Sequence, residues 1–203
     1  MMRPLIDRYW LEVARAIESV PRSHLDRAAT LLYDCYRRSG TIFVLGNGGS
    51  AATASHFVCD LAKGTRQAGQ PPFRVIGLSD NMPLITAWAN DVSYERVFAE
   101  HLAGLVRPLD VVVLISASGN SPNVLAAAET AALNGALSVA LTGGNGGRLA
   151  GLVDLAVRVN ARSIEQVEDL HLMIAHSLCV ALRARLQAEC TATSTTAGTA
   201  VPS

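Results

Sequence analysis

The chain has 203 residues, half of them apolar, and its 17 basic and 17 acidic residues cancel to a formal charge of zero. That length suits one domain with one sizeable core, and the charge balance excludes the basic footprint of a nucleic-acid binder or of a protein held on an anionic membrane. The opening "MMRPLIDRYW" interrupts any apolar leader with Arg and Asp, and no apolar run approaches a membrane span, so the expected location is the cytoplasm.

Residues 3–38 read as helix, with Ile6, Trp10, Val13, Ile17 and Val20 spaced alternately by four and three. Such a heptad-like stripe suits packing against another helix or another subunit, and Pro21 with Ser23 divides the segment in two. After Gly40 the pattern changes to short apolar runs alternating with helical stretches. The strand candidates are 41–45 "TIFVL", 73–77 "FRVIG", 110–115 "DVVVLI", 137–141 "LSVAL" and 153–158 "VDLAVR". Strands apolar on both sides and separated by helices predict an α/β fold, a five-stranded parallel sheet covered on both faces. A last helix is expected from about Ile164 to about Glu189, which completes a single domain over residues 1–190. The segment 191–203, "TATSTTAGTAVPS", is small, polar and uncharged, and is expected to be disordered. Cys35, Cys59, Cys179 and Cys190 form no CxxC pair, and three of them sit inside apolar helical patterns and read as small hydrophobes in a reducing compartment.

In open α/β sheets, ligands bind beyond the carboxyl ends of strands, near helix N-termini. Two loops there have unusual composition: "GNGGS", 46–50, and "SASGNSP", 116–122, which opens the helix "PNVLAAAETAAL" with Ser121 as N-cap and Pro122 in the first turn. Three hydroxyls (Ser116, Ser118, Ser121), Gly119 and free backbone amides can hold a phosphate without a cationic side chain, although the same residues also make ordinary capped turns. "GNGGSA" partly mimics a dinucleotide fingerprint, but the next acid after a strand, Asp80, stands too far on for a ribose contact. No Lys-Ser or Lys-Thr follows the glycines to make a P-loop.

His56 and Asp60, at i and i+4, share one helix face, and Glu165, Glu168 and His176 fall within one face of the last helix. Two imidazoles and carboxylates from two helices suit a metal site with N and O ligands, or an acid–base pair on opposite sides of a substrate. His171 lies at the edge of that face and reads as a packed histidine. Lys63 is the one lysine beside 16 arginines. At i+3 from Asp60 and i+7 from His56, it is expected to point into the same site and to tune Asp60 or contact substrate.

"GNGGSAATASHFVCD", "ISASGNSPNV" and "VEDLHLMIAH" together resemble the sugar isomerase (SIS) family, and most closely its phosphoheptose isomerase branch, in the right order from about residue 5 to 188. The resemblance implies a three-layer αβα sandwich, N-terminal helices used in oligomer packing, a homotetramer with active sites at subunit interfaces, and zinc. It implies that Ser116, Ser118 and Ser121 hold a sugar phosphate and that Asn47 and Ser50 lie near the substrate. It also implies that His56, Asp60, Glu168 and His176 serve as metal ligands, with Asp60, Glu168 and His176 available for proton transfer. Asp60 stands where the family has glutamate, Glu168 where it often has glutamine, Glu165 where it has aspartate, and Ala117 lacks a hydroxyl found in several members. The implied activity is the aldose–ketose isomerisation of sedoheptulose 7-phosphate. An isomerase or epimerase of another sugar phosphate remains open, as does a non-enzymatic tetramer like the superfamily member that binds the bacterial replication initiator.

Overall fold

The computed structural model describes residues 2–197. Five strands, β1 (Thr41–Gly46), β2 (Arg74–Gly77), β3 (Val111–Ser116), β4 (Leu137–Gly143) and β5 (Leu155–Val159), form one parallel sheet in the order β2-β1-β3-β4-β5. Seven α-helices surround it: α1 (Arg3–Glu18), α2 (Arg22–Arg37), α3 (Gly48–Cys59), α4 (Met82–Asp91), α5 (Val97–Ala103), α6 (Pro122–Leu133) and α7 (Ile164–Ala197).

Alternation along β1 builds two cores. Ile42 and Val44 face Leu32 of α2, Phe57 of α3, and Leu170, Ile174 and Leu178 of α7. Phe43 and Leu45 face Phe98 and Leu102 of α5 and the small residues Ala127, Ala128 and Ala131 of α6. Both sheet faces are therefore covered, which is why β1 and β3 are buried at every position and read as unbroken apolar runs. Strand β2 departs from that expectation. It is an edge strand whose residues alternate between exposed and half-buried, and Ile76 is 37% exposed.

Phe57 is wholly buried beside His56, so it anchors α3 and turns the imidazole outward. Truncating a side chain of that size to Ala costs about 3–5 kcal/mol. The stripe on α1 is buried only in its second half. Val13 and Val20 pack inward, while Ile6 and Trp10 are 55% and 67% exposed. Pro21 occupies the N-cap of α2, where the expected division falls.

Helix α7 runs on to Ala197, beyond the end that apolar periodicity suggests. Loss of periodicity is not a stop signal, and neither Gly nor Pro intervenes between Cys190 and Gly198. The rest of the segment expected to be disordered, 198–203, lies outside the described residues. The strand order reverses between β1 and β3, so the connections leaving their carboxyl ends diverge and open a crevice. Both unusual loops border it.

Candidate functional site

The loop after β3 is held by its neighbours rather than by bulk. Gly119 adopts φ +62°, and a Cβ there would lie 2.0 Å from the carbonyl oxygen of Gly146. Only glycine fits. Asn120 Nδ2 donates to the Ser118 carbonyl (2.9 Å), the Asn120 amide to Ser118 Oγ (3.2 Å), and the Arg148 amide to Asn120 Oδ1 (3.0 Å). Leu149 N–H closes the junction by donating to the Gly119 carbonyl at 2.9 Å. Ser116 Oγ and Ser121 Oγ stand 3.4 Å apart.

These serines, with Asn47, Ser50, Ala117, Ile164 and Glu168, line a cavity of about 140 Å³ that takes no Lys or Arg from among the described residues. It lies at the N-termini of α3 and α6, where unpaired backbone N–H groups favour an anion. Gly49 lets α7 approach, because a Cβ at that position would come within 2.5 Å of the Glu168 carboxylate.

The second cluster stands at the far end of α3. His56 Nε2 lies 3.5 Å from Asp60 Oδ2, His176 Nε2 3.7 Å from the same oxygen, and the two Nε2 atoms 2.9 Å from each other. All three residues keep partial exposure, and the rings meet at 66° with centroids 4.9 Å apart. Two imidazole nitrogens and one carboxylate oxygen are a zinc-type donor set. The three separations bracket the edge of about 3.3 Å expected for a tetrahedron with 2.0 Å bonds. The residues fit such an ion, and one position would stay open for a substrate oxygen. Without an ion, facing Nε2 atoms at this distance require one to carry hydrogen and the other a lone pair. Cys179 lies behind the cluster, and burial, with some help from the Asp60 charge, pushes its thiol up to about 12.

Of the four residues expected to share one ion, three converge. Glu168 stands outside the group because it lies eight residues before His176, about 12 Å along α7, and its carboxylate turns into the serine cavity. Lys63 is a second correction. After Cys59 the chain makes a wider π turn over Asp60–Gly64, so the 100° phase that carried Lys63 onto the His56 face no longer applies. Its side chain is exposed, and no hydrogen bond or ion pair to Asp60 is present among the described residues. Glu165 is likewise exposed, and hydrogen bonding from Ser163 holds its carboxyl below the ordinary range. His171 is buried beneath this end of the sheet. Burial pushes it down to about 4, with the Thr142 backbone opposing in part.

Two residues that sequence reasoning passed over touch the site. Asn123 and Tyr94 both hydrogen-bond Asn47. The legible signal for Asn123 was an amide at the second position of a helix whose next five residues are apolar; Tyr94 gave none.

A doubly wound sheet with a serine-lined cavity at its switch point and a His/carboxylate cluster at the far end of α3 defines a class, and the SIS domain model matches residues 8–143: the chain belongs to the SIS-domain family. Within that family, the phosphoheptose isomerase of Shewanella denitrificans is 38% identical over 167 residues, spanning 81% of this chain and 84% of that protein. Among solved structures, the phosphoheptose isomerase of Francisella tularensis superposes with a TM-score of 0.85 at 30% identity, covering 91% of this chain and 99% of the other. That of Neisseria gonorrhoeae gives 0.84 at 28% identity, covering 91% and 100%.

Proposed function

We propose that the chain isomerises sedoheptulose 7-phosphate to D-glycero-D-manno-heptose 7-phosphate. The observation that carries this reading is the pairing of a cation-free, hydroxyl-lined cavity with the His56–Asp60–His176 cluster, in a chain 38% identical to phosphoheptose isomerases. Ser116, Ser118 and Ser121 bind the phosphate with hydroxyls and the amides at the start of α6, while Asn47 and Ser50 donate from the first loop. Glu168 accepts hydrogen bonds from sugar hydroxyls.

At the other end of the substrate, a base takes a proton from C1, and the C1–H electrons form a C1–C2 double bond as the C2 carbonyl becomes hydroxyl. The resulting ene-diol regains a proton at C2 and loses one from the C1 oxygen, leaving an aldehyde. Asp60 (or Glu168) and His176 are the groups assigned to moving these protons, a reading supported by the 3.7 Å separation of Asp60 Oδ2 and His176 Nε2. His56, Asp60 and His176 would hold a divalent ion such as zinc, which would supply Lewis-acid stabilisation of the enolate-like oxygen when bound. The exposed apolar stripe of α1 (Leu5, Ile6, Trp10, Leu11) supports burial of this helix against further copies of the chain; a cytoplasmic homotetramer with active sites at subunit interfaces is part of the proposal.

The test is to incubate the untagged protein with a panel of ketose phosphates and follow aldose phosphate by proton NMR. Conversion of the heptulose phosphate ahead of shorter ketoses supports the reading. Faster conversion of another ketose, or none of any, overturns it.

A further inference from the structure

The two switch-point loops meet through a pair of amides. Asn47, the N-cap of α3, donates from Nδ2 to Asn123 Oδ1 at 2.8 Å, and Asn123 Nδ2 donates back to Asn47 Oδ1 at 2.9 Å. The hydroxyl of Tyr94 donates to the same Asn47 oxygen at 3.0 Å. A primary amide has two N–H bonds and an oxygen with two lone pairs. Both lone pairs of Asn47 Oδ1 are therefore occupied, and one N–H is spent on Asn123. Among the described residues, the other N–H is the part of the Asn47 side-chain amide left without a hydrogen-bond partner, and Asn47 lines the serine cavity.

We propose that Asn123, assisted by Tyr94, is the positioning residue for Asn47. It fixes the amide so that a donor, never an acceptor, faces the bound anion. Amide oxygen and nitrogen are nearly the same size, so an unconstrained Asn47 could turn over and present its carbonyl to a phosphate. Here, turning Asn47 alone would set oxygen against oxygen and N–H against N–H. Asn123 cannot follow freely, being 1% exposed on the buried side of α6 beside Val124, Ala127, Thr130 and Ala131. A buried amide without partners is costly, so the pair holds itself in register. In a cavity without Lys or Arg, each oriented donor counts. Ser121, Pro122 and Asn123 are consecutive, so one stretch of chain supplies both a serine of the cavity and the clamp on Asn47.

This inference rests on reading the serine cavity as a phosphate site, but its test does not need the isomerase reaction. The probe is inorganic phosphate, with affinity measured by ³¹P NMR line-shape titration of the folded oligomer. Asn123→Ala should raise Kd about tenfold in the native background, the effect of one hydrogen bond to a charged group. In an Asn47→Ala background it should add less than about twofold, because its action runs through Asn47. Tyr94→Phe removes one hydroxyl from a residue 57% exposed and should raise Kd about threefold with an unchanged melting temperature, again only while Asn47 is present.

Equal effects in both backgrounds, or none in the native one, overturn the proposal, as does failure of the native protein to bind phosphate. Should Asn123→Ala not fold, the Tyr94→Phe cycle decides alone by the same criterion. A protein that shows the coupling yet isomerises no sugar phosphate sinks the proposed function and leaves the clamp standing. An active isomerase with additive substitutions sinks only the clamp.

Discussion

Gly119→Ala tests how the fold holds the serine loop after β3. The substitution forces a β-carbon onto a backbone at φ +62°, which costs an L-residue about 1–2 kcal/mol. The new carbon would also lie 2.0 Å from Gly146 O, 2.6 Å from Gly146 C and 3.1 Å from Gly147 N. All three are backbone atoms, so no side chain can swing aside. Restoring an ordinary contact of about 3.5 Å must drive the two loops apart by more than about 1 Å. That separation loses the bond from Leu149 N–H to the Gly119 carbonyl and the one from Arg148 N–H to Asn120 Oδ1, each worth about 1 kcal/mol. The sum is about 3–4 kcal/mol, read as a lowered urea midpoint. Because the loop carries Ser118 and Ser121, phosphate affinity should fall at least tenfold. Gly151→Ala is the control, with no atom within 4 Å of the added carbon and an ordinary φ, and should stay within about 0.5 kcal/mol. A Gly119→Ala protein with native stability and phosphate affinity refutes the reasoning.

Ser118→Ala and Ser121→Ala should each raise KM for the sugar phosphate by about ten- to a hundredfold, the loss of a hydrogen bond to a charged group, without changing the solution mass measured by light scattering. Glu168→Gln removes the one charge lining the serine cavity, so inorganic phosphate should bind several-fold tighter; weaker binding would show that the carboxylate holds the anion's partners in place. Protein purified without an affinity tag should contain close to one zinc per chain, and Asp60→Ala or His176→Ala should reduce it to trace levels by elemental analysis. His171 contributes a pH dependence: its folded-state value lies below the ordinary 6.5, at about 4, so the unfolded chain binds the extra proton first. Stability is then fully present above about 6.5 and falls as pH drops towards 4, by about 3 kcal/mol, a slope that His171→Phe should flatten in urea titrations.

The sheet was legible because its strands are buried on two faces, and β1 and β3 could hardly read as anything else. Strand β2 was the weakest of the five, since its exposed edge dilutes the apolar signal. The two site loops were legible from composition, because glycine and serine after a strand mark close backbone approach and free amides. His56, Asp60 and His176 came together because helix periodicity holds along α3 up to Asp60 and along α7. Lys63 and Glu168 stand outside the three-residue cluster for different physical reasons. A π turn resets the helix phase after Cys59, and eight residues of rise carry Glu168 to the other end of the crevice. The bonds of Asn123 and Tyr94 to Asn47 span 76 and 47 residues, and no local pattern encodes such pairings.

The central claim is that the cluster on α3 and α7 does proton chemistry on a ketose held by the serine cavity. Its most direct test is the initial rate of aldose formation from sedoheptulose 7-phosphate, followed by proton NMR, for the native protein beside Asp60→Ala and His176→Ala. The account predicts turnover by the native protein and a loss of about a hundredfold or more in each variant, with inorganic phosphate affinity within about twofold of native in both. A native protein with no turnover, or either variant turning over at the native rate, contradicts it.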